Sequence, residues 1–290
     1  MTQSLCAPIP VIDSIAPLAG RADAWLLDIW GVLHNGVRPF PPAVAACERF
    51  RAEGGRIVLL SNSPRPRDRV AAQLDGIGVS RQAYDDIISS GDATRLLMAR
   101  TPGAAAYHLG PDRDRPIFEG IDVVLTAPDL ADIVVCTGLF DDERETPEDY
   151  RGLLAGLAAR GVTMICANPD LKVDRGGRMI WCAGGVAAAY EAMGGEVAYA
   201  GKPYPQVYEM AIATVAGWMG RSPARERLLA IGDGVATDIL GAARAGIASV
   251  YIASGVHVAA GEAIDQILLD RLFPASASRP VAAMSGLRWT

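Results

Sequence analysis

A doubly wound parallel α/β fold with a second α/β domain inserted into it is predicted by three features of the sequence. Short apolar runs at 25–29, 57–60 and 228–231 each lead into Gly, Ser or Asp, as buried parallel strands do where they meet loops. Segments with helical spacing separate these runs, so strand and helix alternate along the chain. Between 80 and 190 the alternation is repeated in a block of its own. Residues 1–79 and 191–290 are therefore assigned to one domain and 80–190 to an inserted one.

Each element has a local reason. Residues 1–22 form an arm or short helix before the first strand. The run Trp25-Leu26-Leu27-Asp28-Ile29-Trp30-Gly31-Val32-Leu33 reads as a buried strand, closed by Gly31 and by His34-Asn35-Gly36. Pro41-Pro42 opens a helix with Val44, Cys47 and Phe50 at helical spacing, and Gly54-Gly55 closes it. A strand at 56–60 ends in Ser61-Asn62-Ser63, and 66–75 is helical. In the middle block, 93–100 and 147–160 read as helices, 104–109, 133–136 and 162–166 as strands, and 185–192 as an amphipathic segment. The outer pattern resumes with a strand at 196–200 ending in Gly201-Lys202-Pro203, then a helix at 205–218. A strand at 228–231 ends in Gly232-Asp233-Gly234, a helix follows at 236–245, and a last strand lies at 247–252. The tail after Gly255 is weakly patterned.

Composition narrows the function. With 50% hydrophobic and 21% charged residues, the chain of 290 residues is a globular protein of one large or two modest domains. A net charge of −6 and a pI near 5.2 oppose a nucleic-acid or anionic-membrane partner. The five cysteines, Cys6, Cys47, Cys136, Cys166 and Cys182, are scattered without a C-x-x-C pair, which suits a reducing cytoplasm rather than disulfides or zinc. No apolar stretch reaches spanning length, and no signal peptide is expected, so the chain reads as cytoplasmic. A homodimer is expected on base rate alone.

Four strand ends carry the candidate chemistry: Asp28, Ser61, Lys202 and Asp233. In an open parallel sheet ligands sit at the carboxyl ends of strands. Two carboxylates, a hydroxyl and an ammonium gathered there suit phosphoryl transfer. Asp28 and Asp233 offer oxygen ligands to Mg²⁺, Lys202 neutralises phosphate, and Ser61 bonds a non-bridging oxygen. Taken singly, each has a plain structural reading. Asp28 can be a buried carboxylate on backbone amides, Ser61 a turn residue, and Gly-Lys-Pro and Gly-Asp-Gly tight turns. Their order along the chain supplies the weight.

Asp28-x-x-Gly31-Val32, Leu60-Ser61-Asn62, Gly201-Lys202-Pro203 and Gly232-Asp233-x-x-x-Thr237-Asp238 resemble the four ordered motifs of the haloacid dehalogenase superfamily. The insert between the second and third motifs, with Asn168-Pro169-Asp170, resembles that of the α/β-capped, NagD-like class IIA phosphatases. The resemblance implies a Rossmann-like core, a Mg²⁺ cofactor and a small phosphorylated metabolite as substrate, a sugar or nucleotide phosphate. By position it makes Asp28 the nucleophile and a Mg²⁺ ligand, with the Trp30 carbonyl, Asp233 and Asp238 completing or supporting the metal set. It makes Ser61, Asn62 and Lys202 phosphate ligands, and places Asn168 and Asp170 in substrate selection.

One position departs from the family pattern. Family phosphatases carry an Asp two residues after the nucleophile, which protonates the leaving group and later activates water; this chain has Trp30. General acid–base help of that kind contributes roughly 10²- to 10⁴-fold in rate. Three routes around the loss stay open: His34 as proton donor, a substrate with a good leaving group, or chemistry other than ester hydrolysis. Two functions therefore stand, a phosphatase working through an aspartyl-phosphate on Asp28 and a phosphometabolite-binding protein with little turnover. Metal-free dehalogenation is opposed by Asp233 and Asp238.

Other readings fail on the residues. Thr237 occupies the third glycine of a dinucleotide fingerprint, Pro203 the Ser/Thr of a P-loop, and no Gly-x-Ser-x-Gly elbow exists. His34, His108 and His257 are too dispersed in sequence to suggest a metal cluster.

Overall fold

The computed structural model describes residues 7–175, 178–253 and 264–290. Cys6, His257 and the start of the tail after Gly255 lie outside the described residues. The chain divides into two compact units, Met1–Leu60 with Ala72–Ile87 and Tyr208–Thr290, and Ser61–Ala71 with Ile88–Val207.

The first unit is built on a six-stranded sheet. Its order is Ala282–Met284, Ala248–Ile252, Leu228–Gly232, Ala24–Asp28, Arg56–Ser61, Asp86–Ser89. The chain winds outward in both directions from Ala24–Asp28, which pairs in parallel with Leu228–Gly232 on one side and Arg56–Ser61 on the other. The junction between Ala24–Asp28 and Leu228–Gly232 is thus the switch point, the place where open α/β sheets bind their ligands. Register brings the ends level: Leu27 lies opposite Ile231 and Asp28 opposite Leu60. Ala24, Trp25, Leu26 and Leu27 are all buried, as expected of a strand covered on both faces. Trp25 stacks on Phe50 of the helix Pro41–Ala52, ring centroids 4.0 Å apart and planes 4° apart. This fixes the helix over the central strand.

The second unit holds a five-stranded sheet ordered Val197–Tyr199, Thr163–Cys166, Ile133–Cys136, Ala104–Leu109, Val123–Leu125, all pairs parallel. Strand alternation sorts its core onto two faces. Val134, Cys136, Met164 and Cys166 pack with Leu154, Leu157, Val186 and Tyr190, while Ile133, Val135 and Ile165 pack with Met98 and Ile117. A two-stranded antiparallel hairpin, Lys172–Asp174 with Met179–Trp181, completes the unit.

Several elements differ from the sequence reading. The first strand ends at Asp28, as the sequence reading has it, but the rest of the apolar run to Leu33 is a loop whose Leu33 and His34 N–H groups both turn back to the Ile29 carbonyl. The helix expected at 236–245 opens with a wide turn over Val235–Ile239, and only Leu240–Arg244 is α-helical. Its Asp238 and Ile239 N–H groups share the Gly234 carbonyl. Asp86–Ser89, Gln266–Leu272 and Ala282–Met284 are regular elements that the apolar pattern did not mark.

A buried carboxylate ties the edge of the first unit. Asp85 accepts hydrogen bonds from Arg51 at 3.0 and 2.8 Å, from Arg56 at 2.9 Å and from the Ile57 N–H at 2.8 Å. Burial raises its pKa, but these four donors outweigh it and hold the carboxyl below its ordinary value. A depressed folded-state pKa contributes stability at neutral pH that is lost as pH falls below the unfolded value of about 3.9. Asp85→Ala is expected to cost about 2–3 kcal/mol in urea unfolding at pH 7, since both arginines remain partly open to solvent. The cost should shrink towards pH 3; an equal cost at both pH values would contradict this account.

Candidate active site

Asp28, Asp233 and Asp238 converge at the switch point, each offering a carboxylate oxygen within 4.8 Å of the others. Three features of the fold bring them there. Asp28 is the last residue of the central strand, and Asp233 follows the last residue of its neighbour. The wide turn after Gly234 carries Asp238 back, where its carboxylate accepts from the Gly234 N–H at 3.1 Å and the Thr237 hydroxyl at 3.4 Å. The Tyr208 hydroxyl donates to the Asp238 carbonyl at 3.2 Å and fixes the turn from behind. All three aspartates are nearly buried, at 7%, 9% and 6% exposure.

Gly31 makes room for this cluster. It has φ +83°, and a Cβ there would lie 2.0 Å from the Asp233 carboxylate. Carboxylates held this close repel one another unless a cation sits among them. The donor set is all oxygen and anionic, so it fits a hard divalent ion such as Mg²⁺.

Trp30 and His34 lie on the loop after Asp28. Their rings meet edge to face, centroids 5.3 Å apart at 71°. His34 is 1% exposed, and its Nδ1 accepts from the Gly36 N–H at 2.8 Å. Burial pushes its pKa down to about 4. The imidazole is therefore neutral at physiological pH, its proton on Nε2, and it does not have the character of a general acid.

The second unit gathers the remaining expected residues around Asn62. Its side-chain oxygen accepts from the Lys202 N–H at 2.7 Å and from the Ser90 hydroxyl at 3.3 Å. Its side-chain N–H₂ donates to Asp170 at 2.9 Å and to the Lys202 carbonyl at 3.2 Å. Asn62 thus clamps the Lys202 backbone from both sides. Lys202 itself is 3% exposed. The Ser61 hydroxyl accepts from the Ser63 N–H at 3.1 Å, and Asn168 caps the Asp170 N–H at 3.0 Å. Sequence reasoning placed Asn62 on phosphate and missed Ser90, which carries no motif. A polar residue buried beside a strand end is the one signal that Asn62 would brace rather than merely bind.

A doubly wound α/β domain with clustered carboxylates at its switch point, and a second parallel α/β unit inserted in the chain, defines a two-unit α/β protein with a candidate metal site. The profile of the haloacid dehalogenase-like hydrolases matches residues 25–124, and that of the HAD-hydrolase-like group matches 199–270. A haloacid dehalogenase-like hydrolase from Brucella suis 1330 is 45% identical, with a TM-score of 0.86 over 96% of this chain and 100% of that one. This chain belongs to the haloacid dehalogenase-like hydrolase family. The D-glycerol 3-phosphate phosphatase of Mycobacterium tuberculosis is 30% identical over 257 residues, 83% of this chain, which spans just under two thirds (66%) of that relative. A glycerol phosphate phosphatase of the same organism, solved with magnesium, is 25% identical with a TM-score of 0.70, covering 91% and 76% of the two chains. The ribonucleotide monophosphatase NagD of Escherichia coli K12 is 27% identical over 80% of this chain and 87% of its own, in keeping with the NagD-like resemblance.

Added Mg²⁺ should raise the thermal midpoint of the protein by several degrees. Ligand at 100 times its Kd is worth about 2.7 kcal/mol. Gly31→Ala and Asp233→Asn should each abolish the rise while the protein stays folded by circular dichroism. No Mg²⁺-dependent rise in the unmodified chain would contradict the fit of the cluster to a divalent ion.

Proposed function

We propose that this chain is a Mg²⁺-dependent phosphatase of small phosphorylated metabolites, sugar or nucleotide phosphates, and that Asp28 carries the phosphoryl group as an aspartyl-phosphate. The observation that carries the reading is the convergence of Asp28, Asp233 and Asp238 within 4.8 Å. The naming of the relatives as phosphatases supports it. In this reading Asp28, Asp233, Asp238 and the Trp30 carbonyl hold the ion. When bound, the ion neutralises phosphate oxygens so that an anionic nucleophile can approach.

The chain's own residues do the rest. An Asp28 carboxylate oxygen bonds to phosphorus as the phosphorus–ester oxygen bond breaks, its electron pair leaving on the ester oxygen, which takes its proton from solvent. Water then attacks phosphorus, the bond to Asp28 breaks, and the carboxylate is restored. Lys202 supplies a cation for the phosphate, and the Asn62 clamp keeps that cation's backbone in place. Ser61 donates its hydroxyl to a phosphate oxygen. Asn168 and Asp170 select the substrate, Asp170 through a carboxylate already ordered by Asn62. Binding without turnover is the weaker reading, because the relatives matching along most of the chain are named for turnover. The described cysteines Cys47, Cys136, Cys166 and Cys182 are free and buried, which supports a reducing, cytoplasmic setting. Among the described residues no helix is long and apolar enough to cross a membrane.

Phosphate release from a panel of sugar, nucleotide and aryl phosphates tests the reading. Turnover should require Mg²⁺, stop with EDTA, and fall more than about 10³-fold in Asp28→Asn. Undiminished turnover in Asp28→Asn would overturn it.

A further inference from the structure

Trp30 stands two residues after Asp28, where the family phosphatases carry their proton donor, and the structure builds its ring into the loop. The indole lies against Gly36, φ +87°, where a Cβ would come within 2.4 Å of a ring carbon. It meets His34 edge to face, and the two residues also form a backbone bridge. The Gly31 N–H closes the loop onto the His34 carbonyl at 2.9 Å. The indole is thus a fixed wall of the loop, and its N–H is too weak an acid to protonate a leaving group. His34 does not replace the missing donor, because it is buried and its Nδ1 is engaged by Gly36.

We propose that Trp30 is a specificity-determining residue that confines the site to phosphates whose leaving oxygen departs as a stable anion. These are phosphoanhydrides and acyl, enol or aryl phosphates, in preference to unactivated alkyl esters. The inference rests on the phosphatase reading above and narrows its substrate class, keeping nucleotide anhydrides among the sugar and nucleotide phosphates and setting aside their simple alkyl esters. As the bond from the Asp28 oxygen to phosphorus forms, the phosphorus–oxygen bond of the substrate breaks and its electron pair stays on the leaving oxygen. A phosphate, carboxylate, enolate or phenolate accepts that pair unaided, and any proton arrives later from solvent. An alkoxide needs its proton during the step, and lacking it forfeits roughly 10²- to 10⁴-fold. In the second step a water oxygen bonds to phosphorus, the bond to Asp28 breaks, and the water's proton leaves with phosphate or to solvent. An indole in the place of the base also slows this step, so the aspartyl-phosphate accumulates on activated substrates.

The test is kcat/KM with Mg²⁺ across a leaving-group series: acetyl, 4-nitrophenyl and phenyl phosphate, then glycerol 3-phosphate and glucose 6-phosphate. The unmodified chain should show a steep fall with leaving-group pKa and a burst of 4-nitrophenolate before steady state. Trp30→Asp should raise the alkyl esters about 10²- to 10⁴-fold, change 4-nitrophenyl phosphate by less than about tenfold, and remove the burst. Trp30→Asn, which opens the wall without adding a proton carrier, should leave the fall steep. Should neither variant fold, the slope of the unmodified chain decides alone. Alkyl and aryl esters turned over within about tenfold of each other would overturn this inference and leave the phosphatase reading standing. No turnover even of acetyl or 4-nitrophenyl phosphate would overturn both.

Discussion

Three carboxylates packed within 4.8 Å of one another are the constraint on which the first unit is arranged. Like charges at that spacing are unfavourable, and a fold keeps them only by holding each from a separate, rigid position. Asp28 ends a strand with no exposed neighbour in its run, and Asp233 follows the strand paired to it. Asp238 returns on a turn tied by the Gly234 N–H and the Tyr208 hydroxyl. The glycine at position 31, in a left-handed conformation against the Asp233 carboxylate, belongs to the same arrangement. The burial of the sheet thus sets the geometry of the chemistry.

The second unit applies the same logic to a cation. Lys202 comes from a loop after a three-residue strand, a poor platform by itself. Asn62 removes that freedom by accepting from the Lys202 N–H and donating to its carbonyl, while Ser90 and Asp170 orient the amide. An amide satisfied on all these sides is a rigid brace. Within each unit, charged side chains are thus carried on preorganised backbone.

Much of this was legible in the sequence, and the rest was hidden for identifiable reasons. Apolar runs ending in Asp28, Ser61 and Asp233 announced the central strands, because parallel strands buried on both faces have no polar face to blur the pattern. Asp86–Ser89 and Ala282–Met284 escaped notice, the first for its mixed composition and the second because Ala-Ala-Met is too short to carry a period. The turn over Val235–Ile239 looks helical in sequence; only its shared Gly234 carbonyl distinguishes it. The partners of Asn62 lie 28, 108 and 140 positions away, and no local pattern reports such contacts. The neutral, buried state of His34 is likewise a property of packing, which its place in a Gly-flanked loop does not report.

Transfer of the phosphoryl group to Asp28 is the step that defines the proposed mechanism. The most direct measurement is acid quench of the Mg²⁺-loaded protein during turnover of 4-nitrophenyl phosphate, followed by borohydride trapping and peptide mapping by mass spectrometry. The account predicts label on the peptide containing Asp28 and at that residue, with none after Asp28→Asn. Turnover without covalent label at Asp28, or label at another residue, would contradict it.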